Sequence, residues 1–364
     1  MAKYYRKLKK QVLDLPINKR IIFISDIHGN YDLFSKLLKK IYFNSNDYLF
    51  LLGDIFEKGN NNLKTLRYVM ELTKSSHVYP LMGNCDDIYF RDIVNIRSEE
   101  MFLNYALVKG HSVINEMAEE LNIKITKDSN VKELCQIFTK EYSSIIDYLD
   151  TLPHLIETPY FRCVHAGIID ENDDNAYDLM HVADFLKTNK LFDKYIIVGH
   201  YPVINYQNQI PSFNPIIDKV KKIISIDGGN NVNPYGQLNA LILESIESMN
   251  FYYEYLDDFP TINVKLTTNP NNENSINITH HDNQIEIIDK KEDYSVCKHL
   301  SSGKILNVFN SDIYFKNNHY HCHFGTDYQL KVNKNDKVSL LNKLKEFSLV
   351  KKDGIVGYIP NIFV

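Results

Sequence analysis

"RIIFISDIHGN", residues 20–30, is the stretch on which the fold turns. Four apolar residues, Ile21 to Ile24, run into Asp26 and His28, and Gly29 and Asn30 close the segment. A short continuous apolar run bounded by turn residues reads as a buried strand. Polar groups that follow such a strand stand at its carboxyl end, where α/β sheets gather their ligands. The next segment, "YDLFSKLLKKI" (31–41), spaces its apolar residues as a helix. "DYLFLLGD" (47–54) is a second strand, "LKTLRYVMELTK" (63–74) a second helix and "HVYPLMGN" (77–84) a third strand. This βαβαβ order predicts an α/β layered domain.

Outward from this core, residues 88 to about 150 read as a helical insertion, with "SVINEMAEELNI" and "VKELCQIFTKEYSSIIDYLDTL" as its clearest stretches. Strands return in "YFRCVHAG", "KYIIVGHYP", "KIISIDGG" and "LNALILESI", most of them running into polar residues. The pattern changes near residue 255. "TINVKLTT", "SINITHH", "QIEIID" and "DYSVCKHL" alternate with period 2, so a β-rich region is expected. Within it, 346–364 can be laid beside 293–314: a polar-aromatic start, a strand, a Gly turn, another strand and an aromatic ending. The expected organisation is 1–254, then 255–316, then 317–364.

The chain has 364 residues, which suits two or three domains. Its formal net charge of -5 argues against generic nucleic-acid binding. The basic start "MAKYYRKLKK" is followed by "QVLDLP" and not by an apolar h-region, so it does not read as a secretory signal. No apolar run approaches ~18 residues, and no membrane span is expected. Five scattered cysteines (Cys85, Cys135, Cys163, Cys297, Cys322) do not form a disulfide framework, and a reducing cytoplasm is the simplest reading.

Six residues stand at the ends of predicted strands: Asp26, His28, Asp54, Asn84, His165 and His200. Singly, an Asp after a strand is usually a cap, and a lone His is usually structural. Together and in order they form a different set. Carboxylate and amide oxygens with imidazoles suit Mn²⁺, Fe or Zn²⁺. A bridging carboxylate can hold two ions ~3.5–4 Å apart, the spacing of two-metal hydrolysis.

"SDIHGN", "LLGD", "MGN", "VHAG" and "VGHYP" resemble, in order, the motifs of calcineurin-like metallophosphoesterases, with the bacterial phosphoprotein phosphatases as the nearest branch. "IDGGNN" and "GQLNALIL" are similar to that branch's closing strands, so the likeness covers about residues 20–250. The resemblance implies a β-sandwich flanked by helices, in α/β/β/α layers. It implies that Asp26 and His28 bind a first metal ion, that Asp54 bridges, and that Asn84, His165 and His200 bind a second. It also implies direct hydrolysis, by a hydroxide held between two divalent ions, Mn²⁺ first among them.

Two departures from the family pattern bear on the substrate. The second motif of the protein phosphatases, Gly-Asp-x-x-Asp-Arg-Gly, is here "GDIFEKG". Glu57 replaces Asp, and Lys58 replaces an arginine that would grip phosphate at two points; a lysine is a point charge. Lys58 is either a phosphate contact or a solvated loop residue. In "LMGNCDD" (81–87), Cys85 stands where the family has the His that helps protonate the leaving alkoxide. Loss of that acid matters most for poor leaving groups. Gly-Asn-Cys-Asp also resembles small bacterial phosphodiesterases of the same superfamily. Cys85 is either a catalytic substitute or a small filler, and Asp86 is either the acid or an orienting partner.

"HYHCHF" (319–324) puts three histidines on one strand face; with no carboxylate partner evident, a β-strand is favoured over a Zn²⁺ site. "YQLKVNKNDKVSLLNKLKEFSLVKKDGIVGYIPNIFV" (328–364) resembles a Src-homology-3-like (SH3-like) barrel, a likeness of about 45 residues, so one or two such barrels are expected. Phe347 stands where that family has a groove Trp, Phe363 replaces a groove Tyr, and Pro360 is retained. The barrel either binds a peptide or packs within its own chain, the second being preferred.

Three functions are therefore open. The first is a phosphatase acting on a phosphoprotein or small phosphoester. The second is a phosphodiesterase or nucleotide hydrolase, favoured by Cys85 and Lys58. The third is a scaffold protein with a relic catalytic domain, disfavoured because all six ligand residues are present.

Overall fold

The computed structural model describes residues 4–75 and 77–363; the Phe363 side chain, part of the expected groove, lies outside the described residues. The chain divides into two compact units. One holds the residues up to Tyr201 with Pro215–Asp227 and Leu238–Leu256; the other holds Pro202–Asn214, Gly228–Gln237 and the residues from Asp257 onward.

Two sheets form the first unit. In one, the strands Ile21–Ile24, Tyr48–Leu51 and His77–Pro80 run parallel. Leu238–Leu243 joins them antiparallel, and Phe251–Leu256 forms the edge. In the other, Phe161–Val164, Tyr195–Val198 and Ile223–Ser225 run parallel, flanked by Leu155–Glu157 with Lys10–Val12 on one side and Ile216–Asp218 on the other.

Strands buried on both faces read as unbroken apolar runs, which is why Ile21–Ile24 and Tyr48–Leu51 carry no alternation. Their inward side chains meet those of the second sheet in one core of Phe23, Phe50, Phe161, Ile197, Ile224 and Leu241. Phe161 meets Phe23 and Phe50 edge-on, at 5.1 and 5.5 Å between ring centroids, an arrangement that adds about 0.5–1.5 kcal/mol per pair beyond area burial. Ile22, Ile24, Leu49 and Leu51 face the other way, onto helices Tyr31–Lys40 and Asn62–Ser75. The outer face of the second sheet is covered by Leu179, Phe185 and Phe192. The layers are helix, sheet, sheet, helix, as the resemblance implied.

The insertion is helical: Glu99–Lys109, Val113–Glu120, Val131–Glu141 and Ser143–Thr151 follow a π-helical stretch, Tyr89–Val94. Orphan amides at helix starts need acceptors, and three of these are met across the boundary between insertion and core. Glu116 Oε1 and Oε2 accept from the amides of Asn62 and Leu63, at 2.7 and 2.8 Å. Glu57 Oε1 accepts from the amide of Val113 at 2.7 Å. Arg6 ties the amino-terminal segment to the loop after the third strand, with its Nε 3.0 Å from Asp87 Oδ1 and its guanidinium 3.9 Å from the Phe90 ring centroid.

The second unit carries two antiparallel sheets. The four-stranded one is ordered Thr261–Asn263, Lys337–Lys343, Phe347–Lys352, Ile355–Pro360. The five-stranded one is ordered Ile305–Phe309, Tyr294–His299, Gln284–Lys290, His319–Cys322, Ile313–Lys316. Among the described residues both sheets are open at their edges; neither closes into a barrel. The two stretches laid side by side in the sequence fold as hairpins turned at Gly303 and Gly354, each with φ 72°, a left-handed conformation suited to glycine. A groove of about 360 Å³ is lined by Ile305, Asn307, Phe347, Tyr358 and Pro360. His319 and His321 lie on a strand, and the His321 and His323 rings stack with Tyr314. Among the described residues they join no group of three metal-binding side chains. No described helix is long and apolar enough to cross a membrane.

Candidate active site

All six strand-end residues lie at carboxyl ends of the two facing sheets, and the structure brings them together. Two groups of donor atoms share one carboxylate: Asp26, Asp54 and His165 in the first, His28, Asp54 and Cys85 in the second, the atoms of each within 4.8 Å of one another. His28 Nε2 is 3.7 Å from Asp26 Oδ1 and 3.8 Å from Asp54 Oδ2. His165 Nε2 is 3.3 Å from Asp54 Oδ1.

The backbone is bent to achieve this. Asp26, His28, Asp54 and His200 have φ of 55°, 49°, 51° and 67°. Left-handed residues other than glycine cost about 1–3 kcal/mol each and persist where surroundings over-determine them, typically at functional sites. The motif glycines answer to crowding. A Cβ on Gly83 would collide with the Asp54 carboxylate, and one on Gly199 with Ser25 and Asp26.

Hydrogen bonds then orient the donors. The Ser25 hydroxyl and the His200 amide both donate to Asp26 Oδ2, the latter at 3.0 Å. His165 Nδ1 lies 2.7 Å from the Leu52 carbonyl, which can only accept, so Nδ1 carries the proton and Nε2 turns a lone pair inward. The Cys85 amide donates to Asp54 Oδ1 at 2.9 Å. The end of the Asn84 amide lies 3.0 Å from His165 Nε2, 2.8 Å from His200 Nδ1 and 3.3 Å from the Met180 carbonyl, all able to accept. Without a cation the amide nitrogen belongs at that point; with one, the oxygen does.

The electrostatics fit the same reading. Burial and then Lys58 push His28 down to about 3, and burial with His165 does the same to His200, so both imidazoles are neutral. Metal ligation needs neutral imidazole. Burial, and then the charge of Asp54, push Asp26 up to about 8. At Asp54 burial works against ionisation, but His165, His28 and Lys58 outweigh it and hold the carboxyl below its ordinary range. With Asp54 ionised, Asp26 held un-ionised at neutral pH and His28 and His200 uncharged, bound divalent cations would let both carboxyls ionise together.

The remaining candidates divide. Lys58 is exposed. Desolvation beside the site opposes its charge, but Cys85, Asp54, Asp26 and Asp227 outweigh it and raise its pKa, which places its ammonium among the acidic groups. Asp86 is buried and uses both oxygens on backbone amides: Oδ1 accepts from Ile55 at 2.8 Å, and Oδ2 accepts from Gly83 at 2.9 Å. Cys85 is brought in among the donor atoms, with a thiol raised by burial and then by Asp54. Glu57 turns toward the insertion, where it accepts from the Tyr105 hydroxyl and the Val113 amide. Ser25, the Leu52 carbonyl and Asp227 went unread in the sequence. Asp227 follows the strand Ile223–Ser225, and its place in "IDGG" after an apolar run was the available signal.

Comparisons with known proteins place this geometry. The chain is 27% identical over 162 residues to the symmetrical bis(5'-nucleosyl)-tetraphosphatase of Colwellia psychrerythraea, covering 44% of this chain and 46% of the relative. It is 45% identical over 67 residues to that of Buchnera aphidicola subsp. Schizaphis graminum, covering 18% and 24%. The chain thus spans under half the length of these curated relatives. Among solved structures, a protein serine/threonine phosphatase from Saccharomyces cerevisiae matches at 9% identity and TM-score 0.42, covering 70% of this chain and 84% of that one. A cold-active protein-tyrosine phosphatase from a psychrophilic Shewanella matches at 16% identity and TM-score 0.39, covering 68% and 83%. The family model for calcineurin-like phosphoesterases matches residues 19–216, more than half of the chain and all six strand-end residues, so this chain belongs to the calcineurin-like phosphoesterase family.

Proposed function

We propose that the chain is a metal-dependent hydrolase of phosphate monoesters, serine/threonine phosphatase-like, which works with two divalent ions. One observation carries this reading: the Asp54 carboxylate belongs to both groups of donor atoms at once. A shared carboxylate is the feature that distinguishes a two-ion centre from two separate sites. The two groups divide these donors differently, Asp26 with His165 and His28 with Cys85, but with ions bound Asp26, His28 and Asp54 would hold one ion, and Asp54, Asn84, His165 and His200 the other. Oxygen and imidazole donors favour Mn²⁺, with Fe or Zn²⁺ as alternatives. Bound there, the ions supply activation of water at neutral pH and neutralise charge on the phosphoryl oxygens.

The chain's own residues do the rest. Ser25 and the His200 amide fix Asp26 by its Oδ2, so the carboxylate keeps one orientation. The Leu52 carbonyl fixes the His165 tautomer. Lys58 offers a positive charge to a phosphate approaching from solvent. Asp86 locks the loop after Asp54 to the loop before Asn84, so it positions ligands and does not itself donate a proton. Hydrolysis of p-nitrophenyl phosphate with added Mn²⁺, abolished by chelation and restored by Mn²⁺, is the expected result; hydrolysis that persists in chelator would overturn the reading.

A second reading, hydrolysis of phosphodiesters or nucleoside polyphosphates, is favoured by Cys85. Burial and Asp54 keep its thiol un-ionised, and a thiol cannot carry positive charge toward phosphate as imidazolium does. The relatives named as tetraphosphatases point the same way. A panel of phosphopeptide, bis-aryl diester, cyclic nucleotide and dinucleoside polyphosphate separates the two readings by relative kcat/KM.

A further inference from the structure

His200 sits at a strained point of the chain. Its φ is 67°, and a left-handed residue other than glycine persists only where its surroundings over-determine it. On the amino side the anchor lies within the site. Gly199 is closed in by Ser25 and Asp26, and the His200 amide donates to Asp26 Oδ2 at 3.0 Å. On the carboxyl side only Tyr201 and Pro202 intervene before a short turn of 3-10 helix, Val203–Tyr206. Both are buried, and the proline ring fixes its own φ, here -52°, so this link has little slack. The turn belongs to the second unit, which holds it along its length. Asn277 Nδ2 donates to the Ile204 carbonyl at 3.1 Å and to the Gln207 carbonyl at 2.7 Å, and the Asn277 amide donates to the Asn208 carbonyl at 2.9 Å. The His280 amide donates to Asn205 Oδ1 at 3.0 Å. Ile204 is packed in one core with Phe213, Phe324 and Leu349.

We propose that the second unit positions His200 for a metal ion by holding the turn that follows it, with Asn277 as the principal positioning residue. This rests on the phosphoesterase reading of the site. The coupling runs through the chain itself, from Ile204 back across Pro202 and Tyr201 to His200. Carbonyls at the end of a helical turn need donors, and the buried Asn277 amide supplies two of them from one nitrogen. Without it the turn loses its anchor, and His200 relaxes toward an ordinary φ. Its imidazole then leaves the place that puts Nδ1 2.8 Å from the end of the Asn84 amide. The segment Gly228–Gln237, which leads on from Asp227, is held within the same unit: the Tyr235 hydroxyl donates to Asp312 Oδ2 at 2.8 Å, and Lys351 Nζ donates to the Gly236 carbonyl at 3.1 Å. The β-rich unit therefore has a task inside its own chain, and that task acts on metal affinity and not on the chemical step.

The test is Mn²⁺ affinity of the full chain, read by calorimetry and by Mn²⁺ activation of p-nitrophenyl phosphate hydrolysis. Asn277→Leu keeps the side-chain volume and removes both donors. It is expected to weaken Mn²⁺ binding, and to raise the Mn²⁺ needed for half-activation, by ~10-fold or more, with kcat at saturating Mn²⁺ within about threefold of wild type. Gly303→Ala is the control. It strains a left-handed turn of the same unit with nothing within 4 Å of the added Cβ, and it should leave the Mn²⁺ requirement unchanged. An unchanged Mn²⁺ affinity in Asn277→Leu, whatever its melting temperature, overturns the proposal, and so does an equal shift in Gly303→Ala. If Asn277→Leu fails to fold, Asn205→Ala decides, since it removes the acceptor for the His280 amide. It is expected to weaken Mn²⁺ binding about threefold or more, and an unchanged affinity overturns the proposal. A wild type that binds Mn²⁺ yet cleaves no ester overturns the phosphoesterase reading, while the calorimetric shift still decides the role of Asn277. A wild type that binds no Mn²⁺ overturns both.

Discussion

Replacing Asp86 by Asn separates positioning from proton donation. The Asp86 carboxylate accepts from the Ile55, Phe56 and Gly83 amides at 2.8, 3.4 and 2.9 Å, and the residue is fully buried. An asparagine keeps one acceptor oxygen. If that oxygen stays on Ile55, the new NH₂ faces the Gly83 N–H, and a buried donor loses its partner. A lost charge-assisted bond with an unsatisfied buried amide costs about 3 kcal/mol. For a domain of this size that lowers Tm by roughly 6–12 °C, at about 2–4 °C per kcal/mol. The displaced amides belong to the loops that carry Asp54 and Asn84, so Mn²⁺ activation should need more metal. A thermal melt and a Mn²⁺ titration of p-nitrophenyl phosphate hydrolysis measure both effects. A positioning residue lowers aryl and alkyl ester rates alike, and added Mn²⁺ partly restores them. A melt unchanged within 1 °C, or a loss confined to alkyl esters, would refute this reasoning and return Asp86 to the role of acid.

Three further outcomes are expected. Arg6→Ala leaves the fully buried Asp87 without its 3.0 Å partner and should cost about 3–5 kcal/mol, seen as a lower melting temperature; a change under 1 kcal/mol would show the pair to be incidental. Burial raises Glu57 from 4.5 to about 7, so the stability it confers is whole below about 4.5 and is lost as pH rises through 7. Glu57→Gln cannot ionise, and its stability relative to wild type should therefore climb by roughly 3 kcal/mol across that window, a gain that a flat pH profile would contradict. Cys85→His should raise monoester over bis-aryl diester hydrolysis by ~100-fold if the imidazole reaches the leaving oxygen, and an unchanged ratio would mark Cys85 as filler.

The strands of the catalytic unit were legible because each is a short apolar run ending in a polar residue, as in "RIIFISD" and "DYLFLLGD". The six-residue cluster was legible for the same reason, since strand ends in a layered α/β fold converge at one edge. What escaped is long-range and has no local pattern. Arg6 and Asp87 are 81 positions apart, and nothing in "YYRKLKK" shows that one of its cations is buried. Glu57 could be read only as a conservative change, because its partner Tyr105 lies 48 positions away on an insertion helix. Asp86 was ambiguous because its acceptors are backbone amides, which carry no side-chain signature. The left-handed φ values at Asp26, His28, Asp54 and His200 likewise have no compositional mark, whereas the glycines beside them do. Segments 202–214 and 228–237 continue from the motifs of the catalytic strands, yet they belong to the second unit through contacts such as Asn277 Nδ2 on the Gln207 carbonyl at 2.7 Å.

The most direct measurement is metal stoichiometry paired with turnover for Asp54→Asn. Asp54 stands in both groups of donor atoms, so its carboxylate should hold two ions in one centre. The wild type is expected to bind two Mn²⁺ per chain and to hydrolyse p-nitrophenyl phosphate. Asp54→Asn should bind fewer than two under the same conditions and lose ~100-fold or more of kcat. Two tightly bound ions and undiminished turnover in Asp54→Asn would contradict the shared-carboxylate centre outright.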